Sequence, residues 1–221
     1  MRFLLACFDL DGTLVDSTAD IAEALAAALA AVGPRDPERD PRVVAAAGRG
    51  MPLEAYFALA RPDGDAAACR RFIDAYRAHY HAHLLDRTRP FDGVEETLAL
   101  LAPLRARGLR TAVCTTKRTD TARRVVDGLG LLRHFDAVLG TDGIPHKPEP
   151  DLLLLAARTL EREATAGLMV GDTERDLLAG RAAGMMTCGV GWSALGADGL
   201  RAHRPDYLID RFQEVLPILE G

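Results

Sequence analysis

Two carboxylates one residue apart, Asp9 and Asp11, open the string Asp9-Leu10-Asp11-Gly12-Thr13-Leu14-Val15-Asp16 directly after the apolar run Phe3–Phe8. A run of that kind reads as a buried strand, and in open α/β sheets the ligand crevice lies beyond the carboxyl ends of the strands. The two acids are therefore placed for chemistry, with Gly12 as the tight turn that lets a substrate approach the backbone. Three more polar groups follow predicted strands: Thr115-Thr116-Lys117, Lys147 in His146-Lys147-Pro148-Glu149-Pro150, and Gly171-Asp172-Thr173-Glu174-Arg175-Asp176. If the strands share one parallel sheet, these loops lie on one edge of it, and a pocket there combines carboxylates, hydroxyls and lysines.

Clustered carboxylates repel unless a cation joins them. An all-oxygen set with few protein ligands suits Mg²⁺, which keeps several waters and is completed by a substrate phosphate. Lysine and hydroxyl donors match phosphate oxygens. One aspartate could attack phosphorus to form an aspartyl-phosphate while the other protonates the leaving oxygen and later activates water. The residues alone leave open which aspartate does which. Each satellite residue also has a plainer reading. Thr115 could cap the helix that starts near Thr119, Asp176 could be a first-turn acid favoured by the helix dipole, and Lys117 could be a surface lysine.

The elements that must position these groups follow from periodicity. Apolar residues at helical spacing from Ile21 to Val32, with Ser17 or Thr18 as cap, predict a helix directly after the acidic string. Residues 35–85 predict further helices and no strand, broken at Gly48-Arg49-Gly50 and at Arg61-Pro62-Asp63-Gly64. His79, His81 and His83 alternate with other residues there, a spacing expected to spread them around the helix. Beyond Gly93 the pattern alternates short apolar runs with helices, the mark of βαβ units and a parallel sheet. Strands are predicted at Leu109–Cys114, Ala137–Leu139, Leu168–Val170, Thr187–Val190 and Tyr207–Ile209, and one long helix at Val94–Arg107. The expected division is a core of residues 1–15 and 88–221 and a helical cap of residues 16–87 inserted after the first strand.

Composition limits what such a site serves. The 221 residues are 48% hydrophobic and 27% charged, ordinary for a soluble globular chain. A formal net charge of −5 with no long basic run argues against nucleic acid as partner. The four cysteines are scattered, without CxxC spacing, and read as reduced packing residues of a cytoplasmic protein. Asp9 and Asp11 cut the N-terminal apolar run short of a signal-peptide core, and no segment has the length and apolarity of a membrane span. No membrane partner is expected.

In its motifs the chain resembles the haloacid-dehalogenase superfamily, and within it the bacterial phosphoglycolate phosphatases. Residues 8–17 match the family's first motif, Thr115 its second, Lys147 its third, and Gly171-Asp172 with Asp176 its fourth, so the resemblance spans essentially the whole chain. It implies an α/β, Rossmann-like core with a central parallel sheet and an inserted all-helical cap domain. It also implies roles: Asp9 as nucleophile, Asp11 as general acid/base, and Thr115 and Lys147 on the transferring phosphoryl group. Mg²⁺ would be held by Asp9, the Asp11 carbonyl and Asp172, with Asp176 acting through water or orienting Lys147. Thr116-Lys117 stands where the family more often has Asn-Lys. Gly12, Thr116 and Lys117 join the expected substrate contacts, as do Arg49 and Gly50 of the cap, where Arg49 could bind a substrate carboxylate bidentately.

The expected activity is Mg²⁺-dependent hydrolysis of a small phosphate monoester, 2-phosphoglycolate first, by a monomer or homodimer. The alternatives are a β-phosphoglucomutase-like isomerase or an inorganic pyrophosphatase on the same fold. From a different class comes a phosphate-binding regulatory module without turnover.

Overall fold

A computed structural model describes residues 2–192 and 196–221. In chain order the elements are β1 (Leu5–Phe8), β2 (Val15–Asp16), α1 (Thr18–Ala30), α2 (Arg39–Ala45), α3 (Leu53–Ala60), α4 (Ala66–His83) and β3 (Arg89–Pro90). Then come α5 (Val94–Leu100), α6 (Ala102–Ala106), β4 (Arg110–Cys114), α7 (Thr119–Gly128), β5 (Ala137–Leu139), α8 (Asp151–Thr159), β6 (Gly167–Gly171), α9 (Glu174–Ala182), β7 (Met186–Val190), α10 (Gly196–Arg201), β8 (Tyr207–Ile209) and α11 (Val215–Glu220). The chain divides into two compact units, Met1–Val15 with Pro90–Gly221, and Asp16–Arg89.

The first unit is built on a six-stranded sheet in the order β5-β4-β1-β6-β7-β8, every described pairing parallel. β1 is the first strand in sequence yet sits in the middle, between β4 and β6. The chain fills one side of it with β4 and β5 and the other with β6, β7 and β8, which makes β1 the topological switch point. Strands covered on both faces carry apolar residues without alternation, as in the fully buried Leu5-Ala6-Cys7-Phe8 and Gly167–Gly171. Phe8 anchors an aromatic cluster, with ring centroids 6.1 Å from Phe135 and 5.9 Å from Phe212. Trp192 packs between Phe212 and Phe91. Cys7, Cys114 and Cys188 are buried free thiols, and burial pushes the Cys188 thiol up to about 12.

Two departures from the sequence expectations have local causes. The single helix expected over Val94–Arg107 is two, α5 and α6, because Pro103 lacks the N–H of a continuing helix and its ring would clash with the preceding turn. α10 and the two-residue strands β2 and β3 were not expected at all, being too short to show a period.

In the second unit every element between its end residues is helical, around Phe57 and Phe72 at 5.7 Å. Asp16 Oδ1, rather than Ser17 or Thr18, accepts the first exposed N–H of α1, that of Thr18, at 3.1 Å. Arg61 forks onto both carboxylate oxygens of Asp40. Asp20, almost fully buried, accepts from the Arg87 and Thr88 N–H groups and from the Thr88 hydroxyl. The histidines of α4 do not spread evenly. His79 and His83, four apart, share a face with ring centroids 4.5 Å apart, and His83 Nδ1 meets Asp86 Oδ2 at 2.9 Å.

Candidate active site

Sheet order assembles the site. Asp9 leaves the end of β1, Thr115 the end of β4 and Asp172 the end of β6, three neighbouring strands held in register by the pairs Phe8–Val113 and Phe8–Val170. The Asp9 N–H continues the ladder onto the Val170 carbonyl at 2.9 Å, and the Thr115 N–H onto Leu139 at 3.1 Å. Asp9, Thr115, Asp172 and Asp176 are all buried.

Lys147 arrives from the loop between β5 and α8, where its peptide to Pro148 is cis. Its Nζ donates to Asp9 Oδ1 at 2.5 Å, to Asp176 Oδ1 at 2.5 Å and to the Cys114 carbonyl at 3.1 Å. All three donors of the ammonium are thus occupied, as burial of a charge demands. The other oxygen of Asp176 accepts from the Thr173 N–H and hydroxyl, closing a capping box at the start of α9. Asp176 is thus a first-turn acid of its helix and at the same time accepts a hydrogen bond from Lys147. Gly171 makes this approach feasible, since a Cβ there would overlap the Asp176 side chain.

Gly12, at φ +85°, lies so close to Asp172 that an added Cβ would overlap its carboxylate. Thr13 carries no periodic signal in the sequence, yet it is fully buried and its hydroxyl donates to Asp172 Oδ1 at 3.3 Å. A threonine directly after an Asp-x-Asp-Gly turn was the available signal. Thr115 does not cap α7. Its Oγ1 accepts from the Lys117 N–H at 3.2 Å, while Asp142 accepts the Thr119 N–H at 3.0 Å. Lys117 is not a surface lysine either, for its Nζ lies 3.0 Å from Asp11 Oδ2. Thr116 is half-buried on the same loop.

Three buried carboxylates, Asp9, Asp172 and Asp176, bring ligand atoms within 4.8 Å of one another. Against them stands one buried ammonium. Burial first, then repulsion from Asp176 and Asp11, raises Asp9 to about 7 in spite of Lys147. Burial and the charges of Asp9 and Asp176 raise Asp172 well above the usual carboxylate range. Burial alone would lower Lys147, but Asp176 and Asp9 outweigh it and hold the ammonium above its ordinary value. An excess of buried negative charge fits a divalent cation, and the all-oxygen donor set fits a hard one. Arg49 and Gly50 belong to the second unit, where both are exposed: Arg49 ends a 3₁₀ turn, Ala47–Arg49, and Gly50 follows in the left-handed region at φ 58°.

Known proteins are similar to this chain in sequence and architecture. The family model described as haloacid dehalogenase-like hydrolase matches residues 6–190. The "Probable phosphatase IndB" of Dickeya dadantii (strain 3937) is 40% identical over 223 residues, covering 96% of this chain and 91% of that protein. The pyrophosphatase PpaX of Bacillus velezensis is 32% identical over 218 residues, covering 98% and 96%. A crystal structure of a "predicted phosphoglycolate phosphatase" from Haemophilus somnus 129pt is similar with a TM-score of 0.84 at 26% identity, covering 99% of this chain and 98% of that one. With a strand-end site of acids around Lys147, on a chain matched almost end to end by phosphatases, the chain belongs to the haloacid dehalogenase-like hydrolases, as one of that family's phosphatases.

Proposed function

We propose that the chain is a Mg²⁺-dependent phosphatase that hydrolyses a small phosphate monoester, 2-phosphoglycolate first, through an aspartyl-phosphate on Asp9. The observation that carries this reading is the imbalance of three buried carboxylates against the single ammonium of Lys147. Asp9, the Asp11 carbonyl and Asp172 would hold Mg²⁺, which when bound offsets their charge and that of the transferring phosphoryl group. Asp176 is committed by both oxygens to Lys147 and Thr173 and orients rather than ligates. Asp9 attacks phosphorus as the ester oxygen departs with a proton from Asp11. Asp11 then takes a proton from the water that attacks the aspartyl-phosphate, releasing phosphate and restoring both carboxyl groups. Thr115 and Lys147 bind the phosphoryl oxygens, with Gly12 and Thr116 lining the approach. Arg49, with Gly50 freeing the backbone beside it, selects for a carboxylate on the substrate.

A second reading, pyrophosphate as substrate, is favoured by the full-length likeness to proteins named pyrophosphatase. One screen separates the two. Purified protein with Mg²⁺ is given 2-phosphoglycolate, pyrophosphate and hexose 1-phosphates, and released phosphate and isomerised sugar are measured. Preference for 2-phosphoglycolate supports the first reading, preference for pyrophosphate the second, and a hexose 6-phosphate product would replace both with a mutase. Four unpaired cysteines support a cytoplasmic setting, and among the described residues no helix is long and apolar enough to cross a membrane. We take the working form as a monomer or homodimer without nucleic-acid or membrane partners.

A further inference from the structure

Lys117 reaches Asp11 from a backbone that is already fixed. The ion pair measures 3.0 Å, with side chains 12% and 20% exposed. Exposed lysine pairs contribute little, because a flexible four-carbon stem must be frozen to hold one geometry. This stem instead starts from a residue held at both of its backbone polar groups. Thr115 Oγ1 accepts the Lys117 N–H at 3.2 Å, and the Lys117 carbonyl accepts the Thr141 N–H at 2.9 Å. Gly140 completes the seat, since a Cβ there would overlap the Lys117 carbonyl oxygen and push the two loops apart. The other lysine of the site is engaged elsewhere, on Asp9 and Asp176.

We propose that Lys117 is a positioning residue for Asp11, holding one oxygen of its carboxylate so that the group stays aimed at the proton it transfers. The inference rests on the reading of Asp11 as general acid/base. Asp11 sits one residue before Gly12, whose positive φ marks a turn rather than a regular strand, and the ion pair restrains its side chain there. Loss of that restraint does not slow all esters alike. A proton from Asp11 matters most when the departing oxygen is strongly basic and least when it leaves as a stabilised phenolate.

Phenyl phosphate and p-nitrophenyl phosphate differ little in shape and strongly in leaving-group basicity, which makes them the probes. Lys117→Met keeps the stem without the charge, and Lys117→Gln, also uncharged, repeats the comparison should the first variant fold poorly. The expected result is a loss of kcat about tenfold greater on phenyl than on p-nitrophenyl phosphate, with KM for both nearly unchanged. Lys117→Arg should recover most of that loss. Asp11→Asn, measured alongside, should show the same selectivity in larger measure. If Asp11→Asn is selective while the uncharged Lys117 variants slow both esters equally, or neither, the positioning role is overturned. If Asp11→Asn itself is not selective, the acid/base reading falls and takes this inference with it.

Discussion

Lys147 Nζ stands 2.5 Å from Asp176 Oδ1, and the two side chains are 2% and 1% exposed. Breaking a buried pair strands a charge and costs about 3–5 kcal/mol, more than the pair's own net contribution. Asp176→Ala leaves Lys147 paired with Asp9 and bonded to the Cys114 carbonyl, and it relieves repulsion on Asp9 and Asp172, so the loss should stay below that figure, with about 1 kcal/mol of it from the lost cap of α9. Asp176→Asn, which keeps an acceptor toward Thr173, should recover the capping part alone. Chemical denaturation of the three proteins side by side checks the order.

Asp9 predicts a pH dependence in protein stripped of divalent ions with EDTA. Its folded-state pKa is raised to about 7, so between the ordinary carboxylate range and pH 7 the folded chain binds a proton that the unfolded chain does not. Stability must then fall as pH rises across that window and level off above it. Asp9→Asn removes the group and should flatten the slope, while saturating Mg²⁺ should flatten it in the wild type. Thermal unfolding at pH 5.5 and pH 8 measures it, and an equal slope in Asp9→Asn would assign the effect to other groups.

Gly12→Ala asks a residue with a side chain to adopt φ +85° and to occupy space held by the Asp172 carboxylate. The backbone term alone exceeds the roughly 0.4–1 kcal/mol that such exchanges gain at compatible sites. The displaced Asp172 adds a functional loss. Activity should drop about 100-fold or more, since misplacement of a reacting group by an ångström carries that penalty. Melting temperature and the Mg²⁺ concentration for half-maximal rate should both shift.

Asp20 closes the second unit by accepting from the Thr88 N–H at 2.8 Å and the Thr88 hydroxyl at 2.7 Å. Asp20→Ala leaves both donors buried without an acceptor, each at a cost of about 1–3 kcal/mol. Limited proteolysis should then cut within residues 16–89 first. Asp20→Asn, which keeps one acceptor oxygen, should resist longer.

Much of this was legible from local chemistry. Asp9 and Asp11 follow an apolar run and precede Gly12, an order that states its strand and turn without reference to the rest of the chain. The strands at 110–114, 137–139 and 186–190 are short, mostly apolar segments without strict alternation, as befits a parallel sheet covered on both faces. Lys147 and Asp172 are legible in the same way, as polar residues that follow apolar strand segments. Thr13 and Lys117 were harder. A threonine and a lysine carry no periodic signal, and their partners, Asp172 and Asp11, are 159 and 106 positions away. The pairing of His79 with His83 lay in the helical period but was obscured by the alternation that included His81.

What the sequence determined by itself is the set of polar groups that follow the strands and the elements that end beside them, because hydrophobic period, turn chemistry and capping act within a few residues. What tertiary structure decided is which groups meet. The placement of β1 between β4 and β6 brings Asp9, Thr115 and Asp172 together, the close approach allowed at Gly171 lets Asp176 hold Lys147, and the loop seated on Gly140 turns Lys117 toward Asp11. Strand order and close packing depend on surfaces distant in sequence finding one another, and no local pattern of residues encodes that.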